Sequence, residues 1–286
     1  MSPQPITGMS AVVDRFDGFI LDLWGVIHDG QTPYPPAADT LRRLRDAGKK
    51  TLLLSNAPRR AHALITTMTG MGIGRDLYGE VLSSGEATRA ALIARDDPFF
   101  AALGNRAYHL GPERDRSVFE DTGLEIVPMD QATCVVNTGP IDLEDPVEAY
   151  YAVLDAARAR SLPMVCANPD IVVIRANKPV VCAGAIAARY EALGGKVAYR
   201  GKPDRAVYDA AVRQLGVKRI AVVGDALETD IKGAKAANLP SIWCTGGIHA
   251  AALGVSYGVP AEPARAIKLA ADEGYAPDYI IPGFLW

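Results

Sequence analysis

Six residues stand where apolar runs give way to turns, and their types suit one kind of chemistry. Asp22 follows Gly18-Phe19-Ile20-Leu21, and Ser55-Asn56 follows Thr51-Leu52-Leu53-Leu54. Lys202 lies in Gly201-Lys202-Pro203, after Val197-Ala198-Tyr199. Asp225 comes directly after Ile220-Ala221-Val222-Val223-Gly224, and Asp230 follows close behind. Three carboxylates brought together repel one another unless a cation lies among them. They are hard oxygen ligands, which suits Mg²⁺, an ion that takes few protein ligands and keeps waters and phosphate oxygens. Lys202 is a point charge suited to a phosphate oxygen, and the Ser55 hydroxyl and the backbone N–H groups after it are donors to the same group. With its phosphate neutralised in this way, a substrate is open to attack by a carboxylate, and the intermediate is an aspartyl phosphate.

Each feature also has a plainer explanation. Asp22 can cap the turn after its strand. Ser55-Asn56 can cap the helix that Pro58 opens, and Thr229-Asp230 resembles a helix start. Lys202 can be a solvated loop lysine, as most lysines are. The chemical reading gains its weight from all four stretches occurring in this order at strand ends.

The elements that must position them alternate. After the strand at 18–21, Pro35-Pro36 leads into a helix over 37–47, closed by Gly48. A strand follows at 51–54, then a helix from Pro58 towards Met71, a strand at 81–83 and a helix capped by Ser84 over 86–95. This β-α alternation predicts a parallel, doubly wound sheet, whose ligands bind beyond the carboxyl ends of its strands. Asp96-Asp97-Pro98 breaks the pattern. A second α/β unit follows, with strands at 106–110, 133–137, 164–167 and 171–175 and helices at 113–121 and 144–160. The first pattern resumes at 197, with strands at 197–199, 219–223, 241–244 and 279–281. Its helices run from Asp204 to 215, from Thr229 or Asp230 to 238, and over 263–273. The predicted fold is a Rossmann-like α/β core with a parallel sheet, residues 1–95 and 197–286, split by an inserted α/β cap domain, residues 96–196.

Bulk composition narrows the function. A chain of 286 residues suits two domains. A net charge of −3 offers no basic footprint for nucleic acid or for an anionic membrane. No apolar run approaches the roughly 20 residues of a membrane-spanning helix, and Met1 to Met9 does not read as a signal peptide. Cys134, Cys166, Cys182 and Cys244 are far apart in apolar runs without metal-ligand spacing. They read as buried thiols of a cytoplasmic protein. The first strand lacks the GxGxxG of a nucleotide-binding dehydrogenase.

In these stretches the chain resembles the haloacid dehalogenase superfamily. Asp22-Leu23-Trp24-Gly25-Val26 is similar to its first motif, Ser55-Asn56 to its second, Lys202 to its third, and Gly224-Asp225-Ala226-Leu227-Glu228-Thr229-Asp230 to its fourth. The insert between the second and third motifs, with Ala167-Asn168-Pro169-Asp170 inside it, resembles the subclass with a large α/β cap. That subclass includes nitrophenyl-phosphatase-like and pyridoxal-phosphatase-like proteins. The resemblance implies that Asp22 is the nucleophile and a Mg²⁺ ligand, with the Trp24 backbone carbonyl and Asp225 as further ligands. It implies that Asp230 holds the metal through water or orients Lys202. Ser55, Asn56 and Lys202 would bind the transferring phosphoryl group, and Asn168 and Asp170 of the cap would help choose the substrate. The substrate would be a small phosphorylated metabolite, and pairing through the cap would make a homodimer.

The chain departs from the resemblance at Trp24. Phosphatases of that superfamily usually carry a second Asp there, which protonates the leaving group and then activates water. An indole N–H donates a hydrogen bond but cannot act as a general base, and loss of acid–base help typically costs 10²–10⁴-fold in rate. Three readings follow: a phosphatase with another acid–base group or a good leaving group, a related reaction, or a catalytically weak phosphometabolite-binding protein. His28 and Asp29 are near enough to supply a proton, although the polar end of the turn is the better reading of both. His62, His109 and His249 are scattered and carry no assignment. The expectation adopted is Mg²⁺-dependent hydrolysis of a small phosphate monoester through phospho-Asp22.

Overall fold

The computed structural model describes residues 3–175 and 178–286. The strands among them are β1 (Gln4–Pro5), β2 (Gly18–Leu21), β3 (Lys50–Ser55), β4 (Glu80–Ser83) and β5 (Arg106–Leu110). Next come β6 (Glu125–Ile126), β7 (Cys134–Asn137), β8 (Met164–Cys166), β9 (Val172–Arg175) and β10 (Lys178–Val181). Last are β11 (Val197–Tyr199), β12 (Ile220–Gly224), β13 (Ser241–Cys244) and β14 (Tyr279–Ile281). Among the described residues no helix is long and apolar enough to cross a membrane.

Seven strands form one sheet in the order β1-β14-β13-β12-β2-β3-β4, with every pairing parallel. A parallel sheet covered on both faces demands strands that are apolar throughout rather than alternating. All four residues of β2 are buried. Phe19 and Leu21 point into one cluster, with Leu41 and Leu44 of the helix Ala37–Asp46. Ile20 points into the other, with Tyr208 and Ala211 of the helix Arg205–Leu215. Because β12, β2 and β3 are neighbours running the same way, Asp225, Asp22 and Ser55 emerge side by side on one edge. The α/β fold with a parallel core is therefore as the sequence predicts.

The second sheet has the order β11-β8-β7-β5-β6, also parallel throughout. It contains a strand that the sequence places elsewhere. Val197–Tyr199, read as the return of the first unit at residue 197, pairs with β8 in register Val197↔Met164 to Tyr199↔Cys166. The chain crosses back only after Tyr199, so Gly201-Lys202-Pro203 is the crossing segment and not the end of a core strand. The stretch 171–175 also differs: β9 pairs antiparallel with β10 in a separate hairpin.

Helix limits shift for local reasons. The helix read from Pro58 begins at Ala61, because the chain bends at Pro58-Arg59 as residues 56–59 pass along the cavity. Residues 113–121 form a 3₁₀ segment, Glu113–Phe119, and 144–160 begins as a 3₁₀ turn before the helix Tyr151–Ala159. The start near Thr229 is a π-type turn, Leu227–Ile231, continuing into Lys232–Ala236. That widened turn lets Asp230 bond back to the Ala226 N–H, which donates to Oδ2 at 3.2 Å.

Leu53 is fully buried in β3, beside the central strand. Leu53→Ala is expected to cost about 2–5 kcal/mol of stability, read as a lower urea midpoint at unchanged slope.

Candidate active site

The six sequence-predicted residues converge. Lys202 Nζ donates to Asp22 Oδ1 at 2.6 Å and to Asp230 Oδ1 at 2.8 Å, and all three side chains are buried. Asp22, Asp225 and Asp230 each present a carboxylate oxygen within 4.8 Å of the other two. Ser55 is buried beside them at the end of β3, its Oγ accepting from the Ala57 N–H at 3.1 Å. Among the described residues, its own proton has no acceptor.

The backbone is shaped around this cluster. Gly25 has φ +80, and a Cβ on it would collide with Asp225 Oδ2. Only glycine permits both the left-handed turn and that approach. Asp225 Oδ2 accepts from the Ile248 N–H at 2.7 Å, and its carbonyl accepts from Trp243 Nε1 at 2.9 Å. Tyr208 braces the turn that carries Asp230, donating to the Thr229 carbonyl at 3.1 Å. None of these supporting residues stands out in the sequence, since each acts through packing or a backbone group.

Charge explains what the cluster can hold. Three carboxylates against one ammonium leave a formal excess of two negative charges. Burial pushes the Asp22 carboxyl well above the usual carboxylate range, with Lys202 opposing the shift. Burial and the Asp230 charge push Asp225 up to about 7. Burial alone would lower the Lys202 ammonium, but Asp22 and Asp230 outweigh it and hold the group well above its ordinary value. A small divalent cation balances the excess. Oxygen ligands at roughly 2.1 Å from such an ion need only a modest contraction of the observed spacing. Among the described residues, no N–H donates to the Trp24 carbonyl, which stays available as a further ligand.

The Asn56 side chain is engaged within the protein. Its Nδ2 donates to Asp170 Oδ1 at 2.8 Å and to the Lys202 carbonyl at 3.1 Å, while Oδ1 accepts from the Lys202 N–H at 2.7 Å. The Asn56 side chain joins the crossing segment and the second unit to β3. Gly201, at φ +129, makes room for it, because a Cβ there would crowd Asn56 Oδ1. Asn168 and Asp170 line the same cavity, about 780 Å³ in volume, and Asn168 Oδ1 accepts from the Asp170 N–H at 3.0 Å. Burial raises the Asp170 carboxyl. Arg59 and Asp115, 3.5 Å apart, also line the cavity, and nothing in their sequence surroundings marks them.

Comparison with known proteins agrees with this geometry. Profiles described as haloacid dehalogenase-like hydrolase match residues 19–125 and 130–238, and one described as HAD-hydrolase-like matches 199–284. The D-glycerol 3-phosphate phosphatase of Mycobacterium tuberculosis is 30% identical over 251 residues, 85% of this chain and 67% of its own. A solved haloacid dehalogenase-like hydrolase from Brucella suis is 32% identical, covering 99% of this chain and 100% of its own with a TM-score of 0.83. This chain belongs to the haloacid dehalogenase-like hydrolases. A glycerol phosphate phosphatase from Mycobacterium tuberculosis, solved in complex with magnesium, shares the fold at TM-score 0.67 and 26% identity, covering 94% of this chain and 76% of its own.

Within this hydrolase fold, Trp24 points away from proton chemistry. Its Nε1 donates to the Ile174 carbonyl in the β9–β10 hairpin at 2.6 Å. Its ring meets the His28 ring edge-on, centroids 5.6 Å apart. His28 Nδ1 accepts from the Gly30 N–H at 3.0 Å, which places the ring proton of the neutral imidazole on Nε2. Asp29 Oδ1 accepts from the Gln31 and Thr32 N–H groups at 2.9 and 2.8 Å. Both residues build the turn.

Burial lowers the His28 imidazole to about 4. The unfolded chain binds this proton near pH 6.5, the folded chain only near 4. Between those values the unfolded state holds more protons, so stability falls as pH falls. Between pH 7 and 4, wild type is expected to lose about 3 kcal/mol more than His28→Gln. Urea unfolding across that range measures the difference.

Proposed function

We propose that this hydrolase cleaves small phosphate monoesters through an aspartyl phosphate on Asp22, with Mg²⁺ as its cofactor. The observation that carries the reading is the Lys202 ammonium bridging Asp22 and Asp230 beside a third carboxylate, Asp225. The phosphatase relatives support it. Asp22, Asp225 and the Trp24 carbonyl would hold the ion, and Asp230 would act through water or through its grip on Lys202. When bound, the ion neutralises the phosphate and fixes it for in-line attack.

The chain's own groups then do the following. Lys202 pins one Asp22 oxygen and leaves the other free to attack. The Lys202 charge and the Ser55 hydroxyl stabilise the negative charge on the phosphoryl oxygens in the transition state. Asn56 is a positioning residue, because it holds the backbone of Lys202 against β3. The unit built on the five-stranded sheet is the cap, and its residues Asn168, Asp170, Val172 to Arg175, Val180 and Val181 line the cavity and exclude water. A catalytically weak phosphometabolite-binding protein is the second reading, favoured only by Trp24 at the acid–base position.

Phosphate release from p-nitrophenyl phosphate tests the first reading. Wild type is expected to turn over with Mg²⁺ and to stop in EDTA. Asp22→Asn should lose activity by at least ~10³-fold, since a nucleophile and the unit built around it are removed together. Activity indifferent to both changes contradicts the proposal.

A further inference from the structure

We infer that an arginine cluster around Asp115 reads a second anionic group on the substrate, so that the favoured esters carry a carboxylate or a further phosphate on their leaving group. The inference rests on the phosphatase reading above and names its substrate class.

Three arginines line the cavity: Arg59 from the loop after β3, Arg114 from the 3₁₀ segment Glu113–Phe119, and Arg175 at the end of β9. A guanidinium is a planar fork of donors that matches a carboxylate or a phosphate. Arg60 shows what a purely structural arginine does here. It donates to Glu120 Oε2 at 2.6 Å and to Glu86 Oε1 at 3.0 Å. Its neighbour Arg59 makes no such bond. The Arg59 Nε stops 3.5 Å from Asp115 Oδ1, and both atoms are enclosed in the wall without a hydrogen-bond partner. The Arg59 side chain is still 27% exposed, so the rest of its fork opens on the cavity.

The charges at this wall do not balance. Asp115 is 4% exposed and also lies 4.0 Å from Arg114 Nε. Among the described residues it is the one carboxylate within ion-pair distance of either arginine, and Arg175 has none. Burial pushes Asp115 up to about 6 while both guanidinium groups oppose the shift, so at neutral pH it carries the charge that braces them. Away from the metal cluster, the other carboxylates of the cavity are engaged elsewhere: Asp29 accepts N–H groups of its own turn, and Asp170 accepts from Asn56. One carboxylate against three guanidinium groups leaves room for an anion from outside.

The backbone holds the cluster in place. Ser83 Oγ donates to the Arg59 carbonyl at 2.5 Å, and a Cβ on Gly85 would collide with the Arg59 backbone. The segment carrying Arg114 and Asp115 docks beside it, where Ser117 Oγ accepts from the Arg60 N–H at 3.3 Å. Lys202 and Ser55 serve the transferring phosphoryl group in the proposed reaction. Arg114 and Arg175 belong to the cap, and so serve the leaving group.

The test is kcat/KM with Mg²⁺ for two ester pairs that differ in one group: 3-phosphoglycerate against glycerol 3-phosphate, and propane-1,3-diol bisphosphate against 3-hydroxypropyl phosphate. Where an ester turns over too slowly to follow, its Ki against p-nitrophenyl phosphate takes the place of kcat/KM. Wild type should favour the acidic member of at least one pair by at least ~10-fold, the usual worth of a hydrogen bond to a charged group. The pair that shows it tells carboxylate from phosphate. Arg59→Gln, Arg114→Gln and Arg175→Gln should each cut that preference at least ~3-fold. If Arg59→Gln does not fold, the wild-type ratios and Arg114→Gln, at a half-exposed side chain, decide. Wild type that treats both members of each pair alike overturns the inference. So does a preference for phosphoethanolamine over 3-hydroxypropyl phosphate, which would give Asp115 a cation to bind. Losses shared equally by acidic and neutral esters in the variants also overturn it, because the arginines then grip the transferring phosphoryl group. Each of these leaves the phosphatase reading standing. No turnover of p-nitrophenyl phosphate or of any other ester overturns the phosphatase reading, and this inference with it.

Discussion

The Lys202 ammonium, buried between Asp22 and Asp230, is the contact on which the site depends. Taking one ammonium and three carboxylates out of water costs several kcal/mol per ion, and only close, well-oriented pairing offsets it. The pairing has a topological consequence. Asp22 leaves β2, Asp230 lies in the turn after β12, and Lys202 is on the segment that crosses back from the second sheet. A single buried charge therefore ties the two central strand ends to the crossover. Displacing that segment by an ångström or two unpairs the ammonium and leaves carboxylates buried without compensation.

Asn56 repeats the logic with neutral groups. Its amide reaches Asp170 on one side and both backbone groups of Lys202 on the other. Ser84 adds to the seam: its Oγ shares one proton between the Asn56 and Ala167 carbonyls at 2.6 and 2.5 Å. The end of β3 is thus built against the second unit and the crossover together. The β9–β10 hairpin also meets the seven-stranded unit through the indole of Trp24. Among the described residues, the contacts of the second unit with the first include the polar network of Asn56 and Ser84 and the Trp24–Ile174 hydrogen bond.

Much of this was legible in the chain. Asp22, Ser55 and Asp225 were readable because each follows or ends an uninterrupted apolar run, the look of a buried parallel strand, and Asp230 because it follows Asp225 closely. Lys202 was readable as a residue but not as a place. Val197-Ala198-Tyr199 is an apolar triplet that fits either sheet, and nothing local encodes that its partner is β8. The β9–β10 hairpin escaped for a similar reason, since its pairing lies with the residues that follow it and not with the sheet beside it. The partners of Asn56 were illegible because they are 114 and 146 residues away. Trp24 was the reverse case: its oddity was plain in the sequence, and its partner, Ile174, came only with the fold.

The phosphoenzyme is the central claim, and trapping it is the most direct test. Enzyme mixed with Mg²⁺ and p-nitrophenyl phosphate is quenched in acid within the first turnovers, digested and weighed by mass spectrometry. The mechanism predicts one phosphoryl group on the peptide containing Asp22, absent from Asp22→Asn and lost on mild alkaline treatment. Steady turnover with no phosphopeptide at Asp22, or with the phosphoryl group on another residue, contradicts it.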